Sequence, residues 1–410
     1  MFKPMAGVRV LEVAQFTFVP AAGAVLADWG ADVVKVEHAE KGDAQRGIVK
    51  VFSHNVSTEG TTFAPLMDGP NRGKRSLGLS LEKPEAKRVL HELVRRSDVF
   101  LTNFLPGARA RLGIDIEDIR AINPDIVYTL GSGFGHAGPE ADKGGYDSTA
   151  FWARSGAADY LTRPGADGIT QQPAGAYGDS IGGMTIAGGI AAALFARART
   201  GHAPVVDVSL LGVGAWATQL SVNLALMAGG PLPKPEPGSR GAATNPLVAT
   251  YRTADDRWIM LNMLQPARYW PEFCAAVGRG DLAADERFAT AEGLMAHAGE
   301  AGDIVAEVIA GRTKDEWVAI LTGIEGQWAV VQNTWELGHD VSLRANGQIA
   351  DVVDAEGRTR QLVGNPVQFD RTAAQPTRGP LFAEHTDEIL GELGLTEEEV
   401  LDLKVVGAVT

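Results

Sequence analysis

The chain has 410 residues, more than one hydrophobic core normally supports, so two domains or lobes are expected. Hydrophobic residues make up 45% of the sequence and charged residues 21%, which is typical of a packed globular protein and excludes a disordered or fibrous chain. The formal net charge of −14 argues against a nucleic-acid-binding protein, because phosphate backbones require a basic face.

The first half of the chain alternates predicted strands and helices. The β-branched runs at residues 8–13 and 32–37 predict two buried strands, joined by a helix that Pro20 starts and Gly30 stops. An amphipathic helix follows at 82–98, and further alternation continues through 98–103, 125–132, a long helix from 180 to about 200, and 205–211. This order predicts the α/β class, with a mainly parallel sheet covered on both faces.

Composition changes at residues 228–246, where prolines and glycines concentrate. Such a segment is typical of a linker or a surface loop, so we predict a large α/β domain at 1–227 and a linker at 228–246. A small domain is predicted at 247–328, with two strands around an Asp-Asp turn followed by short helices. Residues 329–410 return to mixed strand and helix patterns.

The expected location is the cytoplasm. Cys274 is the only cysteine, and its aromatic surroundings favour a small buried hydrophobe over a reactive thiol, which suits a reducing compartment. The first residues lack the pattern of a signal peptide. The longest apolar window, residues 181–196, contains four glycines and a threonine, so it predicts a buried helix and no membrane span.

Several common catalytic and nucleotide-binding signatures are missing from the sequence. "GSGFGHAG" at 131–138 lacks the third glycine of a dinucleotide fingerprint, and no phosphate loop or Gly-x-Ser-x-Gly elbow is found. The eight histidines are scattered without metal-ligand spacing. We therefore predict no metal site.

What remains is a series of short polar clusters just beyond predicted strands or at helix starts, the places where an open α/β sheet binds ligands. They are "NRGKRS" (71–76), "TNFLPGARARLG" (102–113), "SGFGHAGP" (132–139), "GGYDSTA" (144–150) and "GAYGDSIGGM" (175–184). The first cluster suits phosphate groups, although composition alone favours a solvated turn.

Asp179 has two compatible interpretations. As the acid at the start of a helical run it suits an N-cap, a role worth about 1 kcal/mol. It also suits a nucleophile, because the glycines at 178, 182 and 183 are expected to leave the approach to its carboxylate open. Local residues alone do not decide between these roles.

The ordered clusters resemble the family III CoA-transferases, the group of formyl-CoA transferase and carnitine CoA-transferase, whose relatives include α-methylacyl-CoA racemase. The resemblance runs over essentially the whole chain, from "GVRVLEV" and "LADWGADVVKVE" through "AYGDSIGG" to "RTGHAPVVDVSLL" and "EHTDEILGELG". It implies a Rossmann-like large domain that binds CoA and to which residues 329–410 return, a smaller α+β domain, and an interlocked homodimer.

The resemblance also implies a mechanism and a set of site residues. Asp179 attacks an acyl-CoA thioester, giving a mixed anhydride and then an aspartyl-CoA thioester that a carboxylate acceptor resolves; no cofactor beyond CoA itself takes part. The implied catalytic residues are Asp179, Tyr146 and Asp147. The implied CoA contacts are Thr17, His38, Asn71, Arg72, Lys74, Arg75, Asn103, Phe104, Arg111, Phe134, Gly135 and His136.

Three positions depart from the family pattern. Thr17 stands where formyl-CoA transferase has a glutamine near its active site, and Leu105 stands where many relatives have a basic residue. The family's glycine loop, a source of oxyanion donors, has its nearest equivalent here at Gly238 and Gly241, without the usual dense glycine run.

Tyr146 favours a transferase over a racemase. In the racemase branch a histidine occupies this position, and a tyrosine hydroxyl is a poor base at neutral pH. The neighbouring Asp147 either orients the reacting groups or caps the following helix. An α-methylacyl-CoA racemase and a non-catalytic acyl-CoA-binding protein remain as alternative functions.

Overall fold

The computed structural model describes residues 2–51, 54–57, 60–234 and 244–410. These residues form two compact units. The large unit comprises Met1–Thr162, Asp167–Leu232 and Val341–Thr410, and the small unit comprises Arg163–Ala166 and Pro233–Asp340.

The helices and strands of the first half, in chain order, are β1 (Arg9–Val13), α1 (Phe18–Asp28), β2 (Asp32–Glu37), a 3₁₀ turn (Ala44–Gly47), β3 (Lys50–Val51), β4 (His54–Asn55), α2 (Pro65–Asn71), β5 (Arg75–Gly78), α3 (Pro84–Arg95), β6 (Val99–Thr102), α4 (Pro106–Leu112), α5 (Ile116–Ile122), β7 (Val127–Ser132), a π-helical segment (Asp147–Ala153), α6 (Ala157–Leu161), α7 (Tyr177–Thr200), β8 (Val206–Ser209), α8 (Leu210–Ala217) and α9 (Gln219–Ala228). Those of the second half are β9 (Val248–Arg252), β10 (Trp258–Asn262), α10 (Pro266–Ala276), α11 (Asp281–Ala284), α12 (Ala291–Ala296), α13 (Ala298–Ala310), α14 (Lys314–Leu321), β11 (Trp328–Val330), α15 (Thr334–Gly338), α16 (Val341–Ala345), β12 (Ile349–Val353), β13 (Thr359–Val363), α17 (Thr386–Glu392) and α18 (Glu397–Val405).

A six-stranded parallel sheet organises the large unit, with the strand order β5-β2-β1-β6-β7-β8. The chain leaves β1 toward β5 on one side and later toward β8 on the other, so the strand order reverses between β1 and β6. In an open α/β sheet the crevice at this reversal, beyond the carboxyl ends of the strands, is where ligands bind. The predicted Rossmann-like sheet is confirmed.

Apolar side chains cover both faces of this sheet, which explains why its strands are nearly continuous hydrophobic runs. One hydrophobic cluster packs α1 and α7 against one face, and a second packs α3, α5 and α17 against the other. By length and composition alone α7 is apolar enough to cross a membrane, as is the bent pair α8 and α9. One side of α7, including Ile186 and Ile190, belongs to the core of the large unit.

The small unit has its own core, as expected for an α+β domain. Strands β9, β10 and β11 form an antiparallel sheet, and along β10 Ile259 and Leu261 are buried while Trp258 and Met260 are exposed. This alternation buries one face of the sheet against helices that contribute Trp270 and Trp317. The predicted strand pair around an Asp-Asp turn is confirmed by the β9–β10 pairing.

Candidate active site

A cavity of about 370 Å³ opens at the carboxyl ends of β1, β6 and β7, beside the start of α7. Six of the side chains or backbone positions predicted from the sequence line it: Asn103, Phe104, Gly135, His136, Tyr146 and Asp179. Parallel strands deliver their carboxyl ends to one edge of the sheet, so clusters far apart in sequence meet here. This cavity is the candidate active site.

Asp179 lies in the first turn of α7, but it does not cap that helix. The N-cap position is Ala176, held in the left-handed region at φ 59° and without a side-chain cap. The cap comes from elsewhere in the chain, because the Asp147 carboxylate accepts the backbone N–H of Gly178 at 2.9 Å. The prediction of Asp179 as an N-cap is therefore wrong, and its carboxylate is left for other chemistry.

Asp147 does not cap the helical segment that follows it, whose N-cap is Tyr146, and its role toward the reacting groups stays a prediction. It begins the π-helical segment, and its carboxylate also accepts the Gln172 side-chain amide at 2.9 Å. Burial raises its pKa, against the lowering effect of the hydrogen bonds from Gly178 and Gln172. Asp147 thus fixes the turn that presents Asp179, and it caps α7 in addition to starting its own helical segment.

The electrostatic environment of Asp179 favours the protonated acid more than usual. Burial raises the pKa of Asp179 to about 7, and the negative charge of Asp147 adds to this shift. In the part of the chain that the structure describes, no donor hydrogen-bonds the Asp179 carboxylate. An acid that titrates near neutrality in a ligand-sized cavity is a candidate for chemistry, because ionisation leaves a poorly solvated and reactive carboxylate.

The glycines around Asp179 serve packing, which corrects the expectation that they open the approach to the carboxylate. A Cβ on Gly178 would meet the Phe151 ring at 2.2 Å, and one on Gly182 would meet the Phe18 ring at 2.3 Å. At Gly183 the neighbour is Ala21 on α1, at 2.5 Å. These glycines let α7 lie directly against α1 and the π-helical segment, and so they set the position of its first turn.

Two aromatic rings form one wall of the cavity. The rings of Phe16 and Tyr146 meet edge to face, with centroids 5.4 Å apart and an interplanar angle of 85°. Tyr146 is 62% exposed, and Phe16 adopts φ 64°, unusual for a residue with a side chain. The loop that carries Tyr146 is held by a close backbone approach, since a Cβ on Gly145 would lie 3.0 Å from the Cα of Gly133.

Asn103 joins the two strands at the reversal of the sheet. Its side-chain amide donates to the carbonyl of Gln15 at 2.7 Å, and its side-chain oxygen accepts the Gln15 N–H at 3.1 Å. The carbonyl of the next residue, Phe104, accepts a hydrogen bond from the Arg109 guanidinium at 2.8 Å. Asn103 and Arg109 therefore fix the backbone that lines the cavity between β1 and β6.

The structure brings Arg109, and not the predicted Arg111, to the cavity. Arg109 is buried and also pairs with Asp115 at 3.0 Å, whereas Arg111 is exposed. The two positions are separated by two residues on the short helix α4, so they point to different sides. The cavity lining also includes Lys143, which the sequence reasoning missed.

The loop after β7 is only partly at the cavity. Gly135 adopts φ 101° and lines the cavity with His136, whose Nδ1 lies 3.0 Å from Asp207. The ring of Phe134 does not line it and instead contacts the cationic groups of Lys143 and Arg154, at 5.4 and 5.3 Å. Phe134 packs against the core of the large unit, and the predicted CoA contact at this residue stays a prediction.

The cations of the basic cluster at 71–75 are paired within the chain, so its interpretation as a phosphate site stays a prediction that these contacts do not support. Arg72 pairs with Asp28 at 2.7 Å, and Lys74 is buried against the Glu12 carboxylate at 2.7 Å. Burial holds the pKa of Lys74 down to about 8, with Lys35 adding to the effect and Glu12 opposing it. Both charges are already neutralised inside the large unit, and neither residue lines the cavity.

Arg75 lies at the opposite edge of the sheet, at the amino end of β5. Its guanidinium pairs with Asp32 at 2.7 Å and with Glu392 at 2.9 Å. Because the strands are parallel and the Asp179 cavity lies at their carboxyl ends, the length of a strand separates the amino end of β5 from this cavity. Its position gives no support to the predicted phosphate contact.

The remaining predicted CoA contacts also hold partners within the chain. Thr17 is buried and donates its hydroxyl to the Gln45 side chain at 2.8 Å, and the His38 Nε2 lies 2.7 Å from Glu82. Asn71 donates to the Met67 carbonyl at 3.0 Å. None of the three lines the cavity, and Gly238 and Gly241 of the predicted glycine loop lie outside the described residues.

The family model described as CoA-transferase family III matches residues 5–386. The chain is 33% identical over 402 residues to the cinnamoyl-CoA:phenyllactate CoA-transferase of Clostridium sporogenes, covering 97% of this chain and 95% of that protein. It is 30% identical to the (R)-2-hydroxy-4-methylpentanoate CoA-transferase of Clostridioides difficile, covering 97% of each chain.

A solved structure agrees with these sequence matches. The crystal structure of a CaiB/BaiF family protein from Brucella suis superposes with a TM-score of 0.80 and 26% identity, covering 96% of this chain and 100% of that chain. The family match spans the strands, the cavity and the Asp179 turn together. The chain therefore belongs to the family III CoA-transferases and is an enzyme of that family.

Proposed function

We propose that this enzyme transfers CoA from an acyl-CoA donor to a carboxylate acceptor through covalent intermediates on Asp179. The observation that carries the proposal is a carboxylate with a pKa near 7 and no hydrogen-bond donor among the described residues, at the wall of a cavity at the sheet's ligand-binding edge. The names of the two relatives also support an acyl-CoA donor and a carboxylate acceptor. No cofactor beyond CoA enters the proposal.

The proposed reaction has four steps, and each step forms one acyl bond as another breaks. The ionised Asp179 attacks the thioester carbonyl, the carbon–sulfur bond breaks, and a mixed anhydride and CoA thiolate result. The thiolate attacks the aspartyl carbonyl, which releases the donor acid and leaves an aspartyl-CoA thioester. The acceptor carboxylate then attacks this thioester to form a second anhydride, and the thiolate takes its acyl group and frees Asp179. Each intermediate stays activated, so the transfer is reversible.

The surroundings of Asp179 supply what the proposed steps need. The amino end of α7 carries the partial positive charge of its helix dipole, which favours negative charge developing on the reacting oxygen atoms. The hydroxyl of Tyr146 lies on an exposed side chain of the same cavity and is the proposed hydrogen-bond donor to the acyl oxygen. Asp147 keeps the α7 turn in place through Gly178.

The test is a trapping experiment on Asp179. The protein is incubated with an acyl-CoA donor and hydroxylamine, and peptide mass spectrometry locates the aspartyl hydroxamate. We expect the adduct on Asp179 only when acyl-CoA is present, and no CoA release by Asp179→Ala. CoA transfer by a folded Asp179→Ala variant would contradict the proposal, and exchange of the α-proton with deuterated water without an acceptor would indicate a racemase.

We further propose that the enzyme works as an interlocked homodimer in the cytoplasm. The family resemblance suggests this assembly, and an unpartnered apolar surface supports it. Helix α9 has no buried residue, and its Leu220, Leu226 and Met227 are 70%, 75% and 80% exposed. Trp216 on the neighbouring α8 is 70% exposed. Isolated soluble domains rarely leave such a surface uncovered.

A further inference from the structure

Phe16 has a strained backbone at the edge of the candidate active site. It lies three residues after the end of β1 and adopts φ 64°, in the left-handed region that costs free energy for any residue with a Cβ. Non-glycine residues persist in this region only when the surrounding structure holds them there, and such strain concentrates at binding and catalytic sites. The question is what holds Phe16 and to what effect.

A buried carboxylate holds the Phe16 backbone. Oδ1 of Asp43 accepts the Phe16 N–H at 3.1 Å and the Gln45 N–H at 2.9 Å, while its other oxygen lies 2.9 Å from the Lys35 ammonium. Asp43 is 1% exposed and Lys35 is fully buried. Because these groups cannot move without leaving a charge unpaired in the interior, the Phe16 conformation is fixed before any ligand binds.

The fixed backbone aims the Phe16 ring at the cavity. The ring meets Tyr146 edge to face, and both residues line the same cavity as Asp179. The other aromatic rings of the lining are occupied by the protein itself, since Phe18 packs on Gly131 and Gly182 and Phe104 packs on the core. Phe16 and Tyr146 therefore form an aromatic wall of the cavity, and the backbone on the Phe16 side of this wall is held in place.

We propose that Phe16 is a specificity-determining residue, and that the Phe16–Tyr146 wall selects acyl groups with a flat aromatic body over short aliphatic ones. This inference rests on the proposed function, because the acyl carbonyl must reach Asp179 and its body must then lie in the same cavity. Aromatic rings gain from edge-to-face and stacked contact beyond the burial of their area, and a Phe16 backbone that is fixed before the ligand binds lowers the cost of ordering this wall.

The experiment compares two donors, 3-phenylpropionyl-CoA and propionyl-CoA, which differ only by the ring. Hydroxylamine in excess serves as a common trap, and because its reaction at the aspartyl carbonyl consumes Asp179, the second-order rate constant is measured from the single-turnover release of CoA thiol, after subtraction of the direct reaction of hydroxylamine with each donor. The variants are Phe16→Ala, which removes the ring and keeps the strain, and Phe16→Gly, which removes the ring and suits φ 64°. Phe2→Ala, an exposed aromatic position outside the cavity, is the matched control.

We expect the rate constant of the wild type to be at least tenfold higher for 3-phenylpropionyl-CoA than for propionyl-CoA. In both Phe16 variants this ratio should fall about tenfold. Phe2→Ala keeps the wild-type ratio within twofold. The Phe16→Gly variant melts at a higher temperature than Phe16→Ala, so a loss shared by both variants is not a folding defect. If CoA is released but neither variant changes the ratio of the rate constants for the two donors, or if the wild type favours propionyl-CoA, the specificity inference is wrong and the proposed function stands. No CoA release from either donor and no adduct on Asp179 overturns the proposed function as well.

Discussion

Two neighbouring carboxylates divide the work at the candidate active site. Asp147 is buried and accepts hydrogen bonds, so it can hold a turn. The Asp179 carboxylate is also desolvated, but no hydrogen bond from the described residues stabilises its charged form. The difference in hydrogen bonding explains why only Asp179 is driven to a pKa near 7. A carboxylate of this kind is both available as a nucleophile near neutral pH and more reactive when ionised than a well-solvated one.

The first prediction concerns pH. Since the proposed nucleophile is the ionised Asp179 carboxylate, we expect kcat/KM for CoA release to fall about tenfold per pH unit below pH 7 and to reach a plateau above pH 8. Asp147→Asn removes a charge that raises the pKa of Asp179 but keeps an oxygen for the Gly178 N–H, so the midpoint moves to lower pH. At pH 6 its rate, relative to its own plateau, rises several-fold.

The matched control for this pH profile is Asp142→Asn. The Asp142 carboxylate lines the same cavity but is not among the causes of the Asp179 shift, so the midpoint stays near pH 7. A profile whose midpoint lies near pH 4 in the wild type, or does not move in Asp147→Asn, contradicts the assignment.

The second prediction concerns stability. The folded state raises the pKa of Asp179 from 3.8 to about 7, so between these values the folded chain keeps a proton that the unfolded chain has lost. Stability therefore decreases as pH rises from about 4 to 7, by at most about 4 kcal/mol for this group. Asp179→Asn removes the cost, and urea unfolding should show a gain at pH 8 and little change at pH 4. Equal gains at both pH values would contradict the raised pKa.

At the scale of elements, α7 is positioned by contacts that come from other parts of the chain. Its first turn is held by Asp147 through Gly178, and its glycine face lies on α1. A helix so placed has little freedom to shift, which keeps Asp179 at a defined point of the cavity wall. Preorganisation of this kind lowers the cost of ordering Asp179, the proposed nucleophile.

The third prediction compares two glycines of α7. Gly182→Ala brings a Cβ to 2.3 Å from the Phe18 ring, so we expect a loss of about 1–3 kcal/mol in unfolding free energy and a lower kcat. Gly188→Ala is the matched control, because nothing lies within 4 Å of its added Cβ. It should gain up to about 1 kcal/mol from helix propensity. The same sign of change for both variants in urea unfolding would argue against the α1–α7 contact.

The same contacts explain what the sequence could and could not predict. Alternating strands and helices predict the parallel sheet, and the rule for strand ends correctly groups Asn103, Tyr146 and Asp179 at one cavity. The ion pairs of the 71–75 cluster could not be predicted, because partners such as Glu12 and Asp28 come from distant segments. For the same reason the local sequence pattern predicts Asp179 as the cap of α7, although the capping carboxylate belongs to Asp147, earlier in the chain.

At the scale of the whole molecule, we expect the apolar surface of α8 and α9 to contact a partner. We propose that this partner is a second copy of the chain. The alternative is a membrane, because α7 and the α8–α9 pair are long and apolar enough to cross one. Leu226→Asp combined with Met227→Asp places two charges on the surface, and Leu401→Asp on α18, 61% exposed, is the control.

The last prediction distinguishes interlocking from ordinary association. By light scattering after gel filtration we expect twice the mass of one chain for the wild type and for Leu401→Asp, while the double aspartate variant loses the dimer. Chains that pass through one another separate only when one of them unfolds, so tagged and untagged dimers mixed after purification should form no hybrids over days, whereas co-expressed chains should form them. Rapid hybrid formation would favour a face-to-face dimer, a monomer at micromolar concentration would refute the dimer, and recovery of the wild type with sedimented membranes would assign the apolar surface to lipid.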